Sequence, residues 1–480
     1  MSVRRSLYWS VGGQVLSFIV GFGGAMATAR LLAPWEIGLN AIAVATMQIA
    51  QIVATFGISS YVIRDKELAP QTLDLAFTVN AILMGGLALT LLALSFAGDL
   101  LLGDSRAGHI LRLLAIAQLV GIFGFRAWTM LQRDMLFRPF AIISTITVAT
   151  NALTTVALAA SGFSYLSAAL AGIVSACVSA ILLNAAAPHH FALRTELRGW
   201  RDIARFGIDV MSVGGVTVLG ARLSEIILGR ILGIAALGIY SRAAVINNLM
   251  FENLYGSVTR VVFSNLSKSL RETGQLRAPF MHAFELILSV MWPIQIGLAI
   301  LAPPVIQLLF GAKWIDSALP LSLLMIAQAI VLSFGMNWEL FVLRGETRVQ
   351  RRLEIWRALT GLLAFSAGTQ FGMAGAASGR IVEAGMGAIL YRGHIDRMAQ
   401  IARGEANRIL GRAALLAIAA TAPSLALMIG YRWSSDTPLW SVAAALLAGI
   451  VLWGVALRMM RHPLLHELQR LVGPLRDRHQ

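Results

Sequence analysis

Charge is scarce in this chain: Asp, Glu, Lys and Arg make up 13% of its 480 residues, against roughly 25% in soluble domains. That scarcity excludes an ordinary soluble fold. Cysteine is scarcer still, because Cys177 stands alone among Ser175, Ala176 and Val178. A disulfide, a thiolate metal site or a redox pair within one chain is therefore ruled out. Long polar segments are missing as well: the connections near 187–206, 263–280 and 392–411 are of linker size and too short to enclose a core. Acids are outnumbered, 24 against 39 Lys and Arg, and no Walker motif is present. A chain so composed works inside or beside a bilayer and draws no energy from a nucleotide.

What is abundant is apolar, 57% of the residues. A spanning helix needs about 20 mostly apolar residues to cross a bilayer core about 30 Å thick. Such stretches fall near 8–31, 37–62, 75–102, 108–130, 140–161, 165–186, 207–232, 236–262, 281–302, 318–343, 353–372, 374–391, 412–431 and 438–460. The expectation is an all-α membrane protein with about 14 transmembrane helices. The first stretch, after Arg4 and Arg5, imitates a signal peptide with Ala27-Thr28-Ala29 as cleavage site, but its apolar span is too long.

Lys and Arg crowd into every second connection: Arg64 and Lys66, Arg133 and Arg138, Arg194 to Arg205, Lys268 to Arg277, Arg344 to Arg352, Arg392 to Arg412, and Arg461 to Arg478. The alternate connections hold Arg106, Lys313 and Arg432, with Arg30 and Arg230 at helix ends. Short cytoplasmic loops retain cations, so both termini are expected in the cytoplasm. The net charge of +15 is spread over these segments and forms no single stripe, which excludes a nucleic-acid partner and leaves anionic membrane lipids as the natural one. The tail 461–480 alternates Leu464, Leu465, Leu468 and Leu471 with arginines and is expected to lie on the inner membrane surface.

Laid on itself, the chain repeats. Ala29-Arg-Leu-Leu-Ala-Pro-Trp-Glu-Ile-Gly38 answers Gly229-Arg-Ile-Leu-Gly-Ile-Ala-Ala-Leu-Gly238 with Arg, Leu and Gly in register. Further on, Gln118 answers Gln328, Trp128 answers Trp338 and Arg133 answers Arg344. A unit of six helices keeps both copies in the same orientation, so the repeat is parallel and substrate is expected between the halves. The chain then divides into a first six-helix lobe at 1–186, a cytoplasmic linker at 187–206 and a second lobe at 207–391. A cytoplasmic loop at 392–411, two C-terminal helices within 412–460 and the basic tail at 461–480 follow.

These motifs are joined by Phe56-Gly-Ile-Ser-Ser60, Leu228-Gly-Arg-Ile-Leu-Gly233, Leu237-Gly-Ile-Tyr-Ser-Arg-Ala243, Ser257-Val-Thr-Arg-Val-Val-Phe263 and Leu309-Phe-Gly-Ala-Lys-Trp314. Together they resemble the polysaccharide transporter branch of the multidrug, oligosaccharidyl-lipid and polysaccharide flippase superfamily. The resemblance implies a flippase carrying undecaprenyl-diphosphate-linked oligosaccharide across a bacterial inner membrane. Polysaccharide polymerase or export machinery becomes a candidate partner. Ser224-Glu225 stands where family members often carry Asp-Lys. Gly24 and Ala25 stand where peptidoglycan-precursor flippases carry Arg-Asp, which argues against that assignment.

Ionisable side chains at bilayer depth are costly and mark pathways. The candidate substrate-binding cations are Arg30, Arg126, Arg222, Arg230, Arg242, Arg260 and Arg380, since guanidinium forks hold a diphosphate bidentately. Glu225, Glu252 and Glu383 are candidate coupling carboxylates for H+ or Na+. Arg222 with Glu225, and Arg380 with Glu383, are three residues apart and read equally well as internal ion pairs. The eighth span, with Asn247, Asn248, Asn253 and Tyr255, is too polar to face lipid and is expected to line water. No catalytic residue, metal site or cofactor is expected. A glycan polymerase or ligase would need a larger periplasmic segment with paired carboxylates, and an exporter of cationic drugs would need acids in excess of bases.

Overall fold

The computed structural model describes residues 3–54, 58–64, 70–190, 192, 194–402, 404–465 and 467. Among these residues every regular element is a helix, and each of the fourteen apolar stretches overlaps helix. Nine helices among the described residues are long and apolar enough to cross a membrane. The second expected span is described as Pro34–Ala54 and Ile58–Arg64, the fourth passes through the 3-10 turn Ile122–Gly124, and the tenth is interrupted between Ala318–Leu332 and Asn337–Arg344. The surface tail lies outside the described residues beyond Glu467. Two compact units divide the chain, 1–238 and 239–480.

In the first unit, the glycine-rich helix Val3–Leu31 packs along Phe137–Ala160. A Cβ on Gly13 would lie 2.7 Å from that of Ala141, and one on Gly24 would lie 2.5 Å from that of Ala152. Both small residues recur eleven positions apart on each helix, and Ser17 shares a 3.0 Å hydrogen bond with Thr145 between them. Small residues thus bring two backbones together where no hydrophobic drive separates protein from lipid. Gly12 and Gly23 face open space.

The two copies of the repeated element meet. A Cβ on Gly38 would lie 1.9 Å from the Ile234 carbonyl oxygen, and one on Gly238 would lie 1.9 Å from the Pro34 carbonyl oxygen. The contact is reciprocal at the same offset of 200 that relates the sequences. Beside it, Glu36 accepts the Ala33 N–H at 2.5 Å and the Ser164 hydroxyl, and Asn40 donates to the Tyr165 carbonyl at 2.8 Å. At the same turn level Asp104 caps Ser105–Gly121 and clasps Arg106, which holds its carboxyl below the usual carboxylate range. The Arg106 guanidinium stands 4.5 Å over Trp35.

The second unit is organised around Arg277–Ile300, Ala318–Leu332 and Gly372–Ala399. The helix Ile234–Met250 passes through a π-helical turn, Phe251–Tyr255, into Gly256–Thr273. Tyr255 accepts the Met336 N–H at 2.7 Å, which serves a backbone donor freed by the break in the tenth span. The two C-terminal helices, Glu405–Gly430 and Leu439–Met459, pack on one another, and Glu405–Gly430 also packs on Arg277–Ile300. Trp453 donates to the Ser289 carbonyl at 3.0 Å. His462, fully buried just after the last helix, places Nε2 2.9 Å from the Ser289 hydroxyl and accepts the Leu464 N–H on Nδ1 at 3.2 Å. An accepting Nδ1 fixes the neutral Nε2–H tautomer, and burial lowers its pKa.

Candidate functional site

Spacing of three residues places Arg222 and Glu225 on one face of Trp200–Leu232, and they form an ion pair at 2.5 Å. Arg380 and Glu383 do the same at 2.7 Å on Gly372–Ala399. The second pair belongs to a larger assembly. Arg357, from Thr347–Gly368, reaches Glu383 at 2.5 Å and its own neighbour Glu354 at 2.5 Å, while the Tyr391 hydroxyl donates to Glu354 at 2.9 Å. Glu383 is thereby held between two guanidiniums, and Arg380 also lies 4.9 Å over the Phe365 ring. The arrangement satisfies each charge inside the bundle, which is what burial of a charge requires.

Arg126 is locked in the first unit. Its Nη2 contacts Asp74 at 2.5 Å and the Arg194 carbonyl at 3.0 Å, with the Phe77 ring 4.7 Å away. Asp74 thus turns an expected cavity cation into a clamp on the segment after residue 193. Arg30 and Arg260 are exposed, as is Arg230, which lies over the positive-φ turn at Gly103. The side chain of Glu252 lies outside the described residues.

Arg242 differs from all of these. It is half-buried on Ile234–Met250, its Nε is sealed from solvent with no hydrogen-bond partner, and its guanidinium stands 5.9 Å from both the Phe310 and Trp314 rings. No carboxylate among the described residues pairs with it. Aromatic faces partly compensate a cation, and the unpartnered Nε leaves this guanidinium a donor in reserve.

Sequence reasoning missed Asp74, Glu354, Arg357 and Tyr391. The i, i+3 spacing of Glu354 and Arg357 was a usable signal, whereas the partnership with Glu383 joins two helices and leaves no local trace.

Among the described residues, an all-helical body with nine apolar helices of spanning length defines a multi-pass α-helical membrane protein. The chain is similar to the structure of the lipid II flippase MurJ in an inward closed conformation, with a TM-score of 0.73 at 12% identity over 96% of this chain and 100% of that one. It is also similar to a multidrug resistance MATE family transporter of the MOP superfamily in an inward-facing conformation, with a TM-score of 0.60 at 16% identity over 80% and 96%. Residues 27–319 match the family described as polysaccharide biosynthesis protein, and the chain belongs to that family. Among curated relatives, it is 25% identical to the succinoglycan biosynthesis transport protein ExoT of Rhizobium meliloti over 69% of this chain and 67% of the relative. It is 27% identical to the teichuronic acid biosynthesis protein TuaB of Bacillus subtilis over 62% of each. It is 24% identical to the lipopolysaccharide biosynthesis protein WzxC of Escherichia coli over 68% and 67%. The aligned part thus spans about two thirds of these relatives, or slightly less. The protein is a multi-pass protein of the bacterial inner membrane.

Proposed function

We propose that the protein moves a lipid-linked oligosaccharide, a glycan on polyprenyl diphosphate, from the inner to the outer leaflet of the bacterial inner membrane. It translocates the substrate and carries out no bond chemistry on it. The observation that carries this reading is Arg242: a guanidinium without a carboxylate partner among the described residues, on the element Leu237-Gly-Ile-Tyr-Ser-Arg-Ala243 through which the sequence resembles polysaccharide transporters. The diphosphate offers the oxygens that such a group lacks. In a low-dielectric site this contact is far stronger than at a surface. Membership of the polysaccharide biosynthesis family and the transport proteins among the relatives support the same substrate class.

The candidate cations Arg126, Arg222 and Arg380 take a structural share of the work, because each already holds a carboxylate. Glu225 and Glu383 are paired likewise, and proton or sodium coupling through them requires the arginine to let go. Arg30, Arg230 and Arg260 remain candidate contacts at the ends of the path.

The test is export in a strain lacking its own flippase for a known glycan, with Arg242→Ala and Arg242→Lys compared at equal membrane expression. Loss of one partner of a charge-assisted contact costs about 1.5–3 kcal/mol, so Arg242→Ala is expected to lower export by at least tenfold, with partial recovery in Arg242→Lys. Undiminished export in Arg242→Ala would overturn the assignment. Lengthening or transfer of the glycan by the purified protein would overturn the transport reading in favour of an enzyme.

A further inference from the structure

The first unit contains a cavity of about 660 Å³, within the usual range of about 300–1,000 Å³ for ligand pockets. It opens among five of the expected spans, the second to the sixth, and no charged side chain among the described residues lines it. Its described polar lining is neutral: Ser59, Asn80, Gln118, Thr147, Ser175 and Ser179, with the Trp128 indole beside them.

These groups are not all needed by the protein. Asn80 is 7% exposed, yet its amide bonds to no described residue, and the Ser179 hydroxyl has no described partner either. Gln118 gives one amide hydrogen to the Met47 sulfur at 3.2 Å, a weak acceptor, and keeps its carbonyl. Ser59 is already shared with Thr129 at 3.2 Å, and Thr147 is turned back on Ile143. An amide, a carbonyl and a hydroxyl therefore converge with spare hydrogen-bonding capacity next to an aromatic surface. These polar atoms face the cavity and are free to bond to whatever occupies it.

The chemistry of the lining selects the occupant. A diphosphate finds no cation here, and a cationic drug finds no carboxylate, so both would be desolvated without compensation. A polyprenyl chain would cover Asn80 and Ser179 with groups that cannot bond to them. An uncharged saccharide fits all of it: hydroxyls that donate and accept for the amides and the hydroxyl, and a C–H face for the indole.

We infer that this cavity receives uncharged sugar residues of the glycan, apart from the diphosphate, with Asn80, Gln118, Ser179 and Trp128 as specificity-determining contacts. The inference rests on the reading of a lipid-linked oligosaccharide as substrate.

The experiment uses purified full-length protein and soluble probes. These are geranyl diphosphate bare or carrying glucose, galactose or N-acetylglucosamine, and the methyl glycosides of the same three sugars. Binding is followed by thermophoresis. At least one sugar-bearing diphosphate is expected to bind about tenfold tighter than the bare one, and Asn80→Leu, Ser179→Ala and Trp128→Leu each to remove most of that gain while binding bare geranyl diphosphate as wild type does. A variant that merely disturbs the fold would weaken both probes together; Ser179→Ala, the mildest change, keeps the test open if the others do not fold. Equal binding of bare and sugar-bearing probes by wild type, or a gain untouched by all three variants, would overturn the inference and leave a cavity that holds water only. Absence of bare diphosphate binding would instead count against the transport reading. The methyl glycosides, which carry no phosphate, then decide the cavity separately: binding abolished by Asn80→Leu supports it, and no binding overturns it.

Discussion

Replacing Gly38 by Ala puts a methyl carbon 1.9 Å from the Ile234 carbonyl oxygen. Since real Cβ contacts essentially never fall under 3.0 Å, the two backbones must withdraw from 1.9 Å to 3.0 Å, by at least 1.1 Å. The obstacle is a carbonyl in a helical first turn and cannot rotate aside like a side chain. Overpacking of this kind costs about 1–3 kcal/mol, and the rigidity of the obstacle puts Gly38→Ala at the upper end. Gly238→Ala meets the Pro34 carbonyl at the same 1.9 Å, so its penalty should match. Gly85→Ala is the control, because nothing lies within 4 Å of its Cβ position and Ala favours a helix over Gly by roughly 1 kcal/mol. Detergent-solubilised protein is heated in steps, and the surviving monodisperse fraction is measured by fluorescence-detected size exclusion. Both repeat glycines should lower the midpoint by similar amounts, and Gly85→Ala should hold or raise it. Midpoints for Gly38→Ala and Gly238→Ala equal to wild type would refute the close crossing, and a large inequality would refute its reciprocity.

Glu383→Gln leaves Arg357 and Arg380 sharing no carboxylate between them and should destabilise the second unit by about 3–5 kcal/mol, the cost of breaking a buried pair from one side; unchanged thermal inactivation would contradict the network. Asp74→Asn should release Arg126 and loosen the segment it holds, read as faster proteolysis near residues 194–199. His462 should make stability pH-dependent. Its folded pKa is lowered by burial, so its contribution is complete above the unfolded value of about 6.5 and declines as pH falls below that. Glu285, Arg412 and His282 face it, so the comparison is the difference between wild type and His462→Gln across pH 5 to 8. That difference should shrink toward acid, and a difference independent of pH would count against the assignment.

The helices were legible because length and hydropathy are what a bilayer selects. The reciprocal glycines were legible too, since the matching of Gly38 with Gly238 survives in sequence as a fixed offset. The interruptions were not. Nothing in the composition of 251–255 or 333–336 announces a π-turn or a break, and Met336 takes up a left-handed φ of 57° that a helical pattern does not encode. Charge pairs within one helix were visible at spacing three. The bond from Arg357 to Glu383 was not, because it depends on which faces of two helices meet. A search led by charge also passed over Asn80, Gln118 and Ser179, whose meaning lies in the partners they lack.

Glu354, Arg357, Arg380 and Glu383 carry as much negative charge as positive. The membrane potential does about 2.3 kcal/mol of work on each elementary charge per 100 mV, and on this quartet it does none. Arg242, which pairs with no carboxylate among the described residues, keeps a net charge on which such a field acts. On the proposed function, voltage across the cell membrane would act differently on the protein before and after a diphosphate binds at Arg242.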